Sequence, residues 1–223
     1  MPARLSVVMP TLMAQADLQR SLPALTEGLQ SGLVRELIIS DGGSTDATLE
    51  IAEAAGARIA TGPPSRGGQL RRGADLAQGE WLLFLHADCV LPEGWPDAVA
   101  GHLVHGGAAA FRLGFDAQGL APALVALWAN LRSRVLGLPY GDQALLLSRA
   151  QYDAAGGYAD IPLMEDVAMA RALRGKITLL PLAVRTSSEK YRRDGWCRRG
   201  SANLFRLTRF LLGADPEKLA KRY

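Results

Sequence analysis

The stretch Glu80-Trp81-Leu82-Leu83-Phe84-Leu85-His86-Ala87-Asp88 constrains the chain most. From Trp81 to Leu85 it is apolar without interruption over the length of a strand, with Gly79 and Glu80 before it and a turn region from Cys89 to Pro92 after it. Uniform apolarity without alternation calls for cover on both faces, as in a parallel sheet held between helices. Ligands of such open sheets bind at the carboxyl ends of the strands. His86 and Asp88, two apart on an extended chain, both face that crevice and can hold a metal ion. On the local pattern alone, a turn capped by Asp88 and a packed strand end at His86 explain the pair equally well.

The preceding segments supply the rest of such a sheet. Leu5 to Met9 reads as a buried strand ended by Pro10 and Thr11. Leu18, Leu22, Leu25 and Leu29 share a face at spacings of four, three and four, a helix opening near Asp17, and Glu36 to Ser40 is a second strand. Strand, helix and strand imply a right-handed parallel crossover. The second strand runs into Asp41-Gly42-Gly43-Ser44-Thr45-Asp46, where the glycines permit close backbone approach and Ser44 or Thr45 can cap the next helix. Asp41, left at the strand end, either braces the turn or accepts hydrogen bonds from a nucleoside. A third strand, Arg58 to Thr61, precedes the glycine-rich segment Gly62 to Gln69, read as a loop before a helix from Leu70 to Ala77. Its amides can cradle phosphates, although its spacing is neither the dinucleotide fingerprint nor the P-loop.

Beyond Pro92 the pattern gives a helix from Trp95 to Val104, a strand from Ala108 to Phe115, a strand from Ala144 to Leu147 and a final strand from Ile177 to Leu182. Leu124, Leu127, Trp128, Leu131 and Val135 lie at helical spacing within Leu120 to Leu136, an amphipathic helix expected to face the core. Glu165 and Asp166 open another helix, either as macrodipole partners or as chemical groups.

The 223 residues suffice for one substantial core, and a net charge of +3 is too balanced to argue for nucleic acid. The excess is local. Lys190, Arg192, Arg193, Arg198, Arg199, Arg206 and Arg209 stand against the single acid Asp194, so this end should meet something anionic. Leu204 to Leu212 interleaves apolar residues with Arg206 and Arg209, a basic amphipathic helix that either docks on the core or lies on an anionic membrane. Cys89 and Cys197 are expected as free thiols in a reducing compartment. The first apolar run is strand-length and no run approaches the roughly 20 residues that span a bilayer. A cytoplasmic protein is therefore expected, or one peripheral to the inner membrane face through residues 196–213.

Taken together, Asp41, His86, Asp88, Glu165 and Asp166 form an oxygen and imidazole constellation without cysteine pairs, which suits Mg or Mn. Few protein ligands would leave positions open for substrate phosphates, and the ion would neutralise a departing diphosphate.

Val7-Val8-Met9-Pro10-Thr11, Ser40-Asp41-Gly42-Gly43-Ser44-Thr45-Asp46, Leu83-Phe84-Leu85-His86-Ala87-Asp88 and Glu165-Asp166 resemble, in order, the motifs of family 2 inverting glycosyltransferases of the GT-A fold. Gly141-Asp142-Gln143 and the basic tail extend the likeness to the small stand-alone bacterial branch associated with radical-SAM or selenodomain proteins. The resemblance implies a GT-A domain over residues 1–189, with a nucleotide-sugar half (1–92), an acceptor half (93–189) and a basic helical extension (190–223). It further implies a UDP- or GDP-sugar donor near Pro10, Thr11, Asp41, Gly42, Arg66, Gln69 and Ala87. Asp88, the last acid of the family's Asp-x-Asp motif, would bind the metal with His86, which stands where the first acid belongs. Asp166 would be the general base and Glu165 its neighbour orienting it or touching acceptor. Met13 and Ala14 stand where the wider family often carries Asn and Glu. The Gln-x-x-Arg-Trp motif of processive synthases is missing, so transfer of one sugar is expected, to an acceptor left open as lipid-linked or anionic.

Two other classes share parts of this pattern. A sugar-phosphate nucleotidyltransferase would carry a glycine-rich, lysine-containing first loop, which Thr11 to Gln15 lacks. A non-catalytic nucleotide-sugar-binding protein would need no base, so the Glu165-Asp166 pair speaks against it.

Overall fold

Residues 4–173 and 177–220 are described by the structure, a computed structural model. The first half alternates β1 (Leu5–Thr11), α1 (Gln15–Gln30), β2 (Val34–Asp41), α2 (Thr48–Ala54), β3 (Arg58–Thr61), α3 (Arg66–Leu76) and β4 (Trp81–Phe84). After the short β5 (Cys89–Val90) come α4 (Trp95–His105), β6 (Ala109–Phe115), α5 (Leu120–Leu136), β7 (Leu145–Ser148), α6 (Arg149–Ala154), α7 (Glu165–Ala172) and β8 (Thr178–Thr186). Three helices follow, α8 (Glu189–Asp194), α9 (Trp196–Leu211) and α10 (Pro216–Ala220).

All eight strands join one sheet in the order β3-β2-β1-β4-β7-β6-β8-β5. β1 pairs in parallel with both β2 and β4, and β2 with β3, which is the parallel half that the apolar runs require. β7 enters antiparallel beside β4, while β6 and β8 pair in parallel. Alternate residues divide the core between the two faces. Leu5, Val7 and Met9 pack with Leu18 and Leu25 of α1 and with Trp95 and Val99 of α4. Val8, Leu82 and Phe84 pack on the opposite face with Leu70 and Ala74 of α3 and Val167 of α7. The register sets Thr11 opposite Asp41 and Val8 opposite Phe84, so the carboxyl ends of β1, β2 and β4 open on one edge.

Besides β1, which runs on through Pro10 to Thr11 in register with Ser40 and Asp41, three expectations change. The glycine-rich segment is helical from Arg66 onward, capped by Ser65, whose Oγ accepts from the Gly68 N–H at 3.4 Å. A Cβ at Gly67 would collide with the carbonyl oxygen of Ala159. Its glycine thus serves close backbone packing, and the Gly67 N–H donates to the Ile161 carbonyl at 3.2 Å. The final strand extends to Thr186 because β6 pairs with it as far as Phe115.

The third change concerns α5. Its apolar stripe, expected in the core, faces solvent: Leu124 is 64% exposed and Trp128 49%. The inward side carries Asn130, Arg132 and Ser133 instead. Asn130 pairs with both backbone groups of Leu113, at 2.8 and 3.1 Å, and Arg132 Nε donates to the Leu138 carbonyl at 2.9 Å. Helical periodicity identifies two faces without saying which is buried, and these buried hydrogen bonds decide it.

Trp95 is fully buried and its indole N–H donates to the Ala24 carbonyl at 2.9 Å, locking α4 to α1. Trp95→Ala should cost roughly 3–5 kcal/mol, read as a lower denaturation midpoint. A midpoint equal to the native one would contradict this packing.

Candidate active site

The loops at the carboxyl edge are built from their own hydrogen bonds. The Asp41 carboxylate accepts from Thr11 Oγ1 at 2.9 Å, from Gly43 N–H at 2.8 Å, from Ser44 N–H at 2.7 Å and from Ser44 Oγ at 2.6 Å. Burial favours its neutral acid, but these donors outweigh burial and hold its pKa below the usual carboxylate range. Asp41 is fully buried and lies outside the cavities, so the expected nucleoside contact meets a carboxylate already supplied with four donors. Gly42 donates to the Thr11 carbonyl at 2.9 Å. Gln69 Nε2 spans the two strand ends, donating to the carbonyls of Thr11 at 2.6 Å and Ser40 at 3.0 Å. Both brace the edge on which Thr11 is displayed.

Two adjoining cavities open there. One is lined by Pro10, Thr11, Gln69 and Ala87, with Arg66, His86, Asp88 and Lys190 on its other side. Arg66, His86, Asp88 and Lys190 also line the second cavity, together with Tyr140, Gly141, Asp142 and Asp166. The four shared residues are the junction. β4 ends at Phe84, and a turn closed by the Cys89 N–H on the His86 carbonyl at 3.0 Å brings His86 and Asp88 into both spaces. The expected pair converges through a turn rather than through strand alternation.

On the second cavity's wall, the Asp166 carboxylate is aimed by two backbone donors. Oδ2 accepts from Gly141 N–H at 2.8 Å and Oδ1 from Val167 N–H at 2.7 Å. Each oxygen keeps a lone pair. Gly141 is fixed in turn by Gln143, fully buried, whose Oε1 accepts from Ser133 Oγ at 2.6 Å and from Arg132 Nη2 at 3.3 Å. A Cβ at Gly141 would strike the His86 imidazole, so the turn and the histidine fit only with glycine there. Three non-glycine residues with positive φ, Met13, Ala144 and Met164, all flank this edge. Met164 directly precedes Glu165, and strained backbone of this kind collects where geometry is over-determined by function.

Burial, then repulsion from Asp166, pushes Glu165 up to about 8 although Arg66 opposes it. Glu165 is 1% exposed, its two oxygens lack hydrogen-bond partners, and Arg66 Nε stands 3.9 Å from Oε1. At neutral pH it is therefore mainly the uncharged acid. Burial likewise raises Asp142 to about 7, with Arg132 opposing and Asp166 and Asp88 adding to the rise. His86 is lowered to about 4, first by burial and then by Arg66, against the pull of Asp88 and Asp166. A neutral imidazole whose buried Nε2 has no hydrogen-bond partner is fit to be a metal ligand. Among the described residues no three of His, Cys, Asp and Glu converge as metal ligands. An ion at Asp88 and His86 would rely on substrate oxygens, as magnesium-type sites do.

Sequence reasoning missed Lys190, Tyr140, Asp142, Tyr191, Arg199, Asn203 and Arg206, which complete the second cavity. Five of them belong to the basic stretch read as an extension, whose inner side is a wall of the site. The unused signal was the concentration of charge there, which was assigned to an outside partner. Leu207 and Phe210 of α9 pack in the core while Arg199 and Arg206 reach the cavity.

A family model described as glycosyl transferase family 2 matches residues 6–124, more than half of the chain. A PGL/p-HBAD biosynthesis glycosyltransferase of Mycobacterium bovis is 39% identical over 95 residues, covering 40% of this chain and 36% of that protein. Glucosyl-3-phosphoglycerate synthase of Mycobacterium tuberculosis is 33% identical over 97 residues, covering 40% of this chain and 30% of its own. The chain thus spans about a third of the length of the curated relatives it matches. Among solved structures, S. aureus TarS superposes with TM-score 0.66 at 16% identity, over 95% of this chain and 66% of that one. The M. tuberculosis synthase bound to Mn2+, UDP and glucosyl-3-phosphoglycerate superposes with TM-score 0.57 at 22% identity, over 91% and 78%. At such identities the superpositions establish the shared GT-A fold.

The raised Glu165 pKa carries a stability consequence. Its ordinary value is 4.5, so between there and about 8 the folded protein holds a proton that the unfolded chain has lost, and stability falls as pH rises through that window. Glu165→Gln removes the titration. Its melting temperature should rise relative to the native protein between pH 5 and pH 8, and an unchanged difference across that range would refute a neutral buried Glu165.

Proposed function

The chain belongs to glycosyl transferase family 2, and we propose that it moves one sugar from a nucleoside-diphosphate sugar to an acceptor hydroxyl with inversion. The observation that carries this reading is the pair of cavities joined at Arg66, His86, Asp88 and Lys190, with Asp166 on the far wall. The donor's nucleotide lies along Pro10, Thr11, Gln69 and Ala87, while Asp41 and Gly42 hold that edge from behind. UDP is favoured over GDP because the structural neighbours include TarS bound to UDP-GlcNAc and the synthase bound to UDP. Arg66 and Lys190 at the junction offset the diphosphate's charge.

Asp88 and His86 would hold a divalent ion, Mg or Mn, which supplies neutralisation of the leaving diphosphate when bound. The neighbour bound to Mn2+ supports this choice. Glu165, kept neutral, adds no negative charge beside the diphosphate and backs Arg66. Asp166, oriented by the Gly141 and Val167 amides, takes the acceptor's proton as its oxygen bonds the anomeric carbon and the bond to the diphosphate breaks. The acceptor side is walled by Tyr140, Tyr191, Arg199, Asn203 and Arg206, which suits an acceptor with an anionic or lipid-linked phosphate. Lacking the processive motif, the chain transfers a single sugar. Its motifs, with His86 in the Asp-x-Asp position, fit the stand-alone bacterial branch acting at the cytoplasmic side of a membrane.

Asp166→Asn keeps one of the two backbone contacts, since its amide nitrogen cannot accept a hydrogen bond, and loses the base. Turnover of the UDP-sugar should fall by about 10²–10⁴-fold, with the dissociation constant for UDP unchanged by titration calorimetry. Near-native turnover would sink the assignment of the base. Absence of UDP binding in the native protein would sink the donor.

A further inference from the structure

The outer face of α5 remains unexplained by the reaction. Leu120, Leu124, Leu127, Trp128, Leu131 and Val135 recur three and four residues apart and are 49–84% exposed. Single exposed apolar residues are common, whereas a whole helical stripe turned outward marks an interaction surface. α5 packs against α9, which exposes Leu204, Phe205 and Leu211 together with Arg198 and Arg209, with Leu212 exposed just past its end. Neither helix contains an Asp or a Glu.

We propose that the outward apolar face of α5, flanked by the exposed arginines of α9, docks the protein on an anionic phospholipid surface. The chemistry selects this occupant. An apolar stripe carrying a tryptophan sits at the boundary between headgroups and acyl chains, and neighbouring arginines meet lipid phosphates. A second copy seated on this face would set Arg134, Arg198 and Arg209 against like charges, with no acid in either helix to answer them. The buried side of α5 excludes the alternative of turning the stripe inward, since that would strand Asn130, Arg132 and Ser133. α9 also lines the cavity that holds Asp166, through Arg199, Asn203 and Arg206. Docking therefore brings the mouth of that cavity close to the lipid, which deepens the acceptor reading toward a membrane-borne acceptor and rests on that reading only for this last step.

The test is co-sedimentation of the whole chain with vesicles of phosphatidylglycerol and phosphatidylcholine in equal parts, against phosphatidylcholine alone, at low and high salt. The native protein should bind the anionic vesicles and weaken in salt. Leu127→Glu with Leu131→Glu should reduce partitioning on the order of tenfold or more, and Arg198→Glu with Arg209→Glu should reduce it and its salt dependence. Quenching of tryptophan fluorescence by brominated acyl chains should appear in the native protein and disappear in Trp128→Phe. No binding to anionic vesicles at low salt overturns the proposal, as does binding indifferent to the α5 substitutions. A dimer in solution broken by the leucine substitutions, without vesicle binding, assigns the face to a second copy and equally overturns it. A UDP thermal shift on every variant reports folding and the donor site separately, so failure of lipid docking and failure of the donor reading are distinguishable.

Discussion

Gln143 is the buried amide on which the second half of the molecule depends. It makes five hydrogen bonds: its Oε1 accepts from Ser133, Arg132 and the Tyr140 amide, and its Nε2 donates to Phe111 and Asn130. Each buried polar atom left without a partner would cost about 1–3 kcal/mol, so the partners must face inward. That requirement turns α5 over, placing its polar side on the sheet and its apolar side outward. The same network holds the turn whose Gly141 amide aims Asp166. A cavity wall and an exposed apolar face are two consequences of one set of hydrogen bonds.

Charge at the site is arranged by burial as much as by pairing. Asp41 and Glu165 are both buried acids, yet their pKa values move in opposite directions. Asp41 receives four donors and stays ionised, whereas the oxygens of Glu165 receive none and its proton is retained. His86 is held neutral by burial and by Arg66. The junction thus presents Arg66 and Lys190 alongside an uncharged imidazole and the Asp88 carboxylate, a balance suited to a diphosphate with a cation.

The parallel half of the fold was legible because its signals are local: apolar runs for β1, β2 and β4, helical spacing for α1, and loops at strand ends. The convergence of Pro10, Thr11, Gln69, Ala87, His86 and Asp88 follows from that topology together with the motifs. The other half was harder to read. Nothing in the spacing of Leu124, Leu127 and Leu131 records that Asn130, Arg132 and Ser133 have partners as far as 17 residues away or only a turn away, and those partners decide which face is buried. Gly67 reads as a flexible loop residue until the Ala159 carbonyl is placed against it. Lys190, Arg199 and Arg206 look like a tail because their destination depends on how α9 docks through Leu207 and Phe210.

The central claim is that a nucleoside diphosphate bridges the two cavities at the junction. A crystal structure of this protein with UDP and Mn2+ tests it most directly. The account expects the diphosphate between Arg66, Lys190, His86 and Asp88, with the uridine toward Thr11 and Gln69 and with Asp166 facing it across open space. UDP bound elsewhere, or bound with its diphosphate turned away from Asp88 and Arg66, would contradict it.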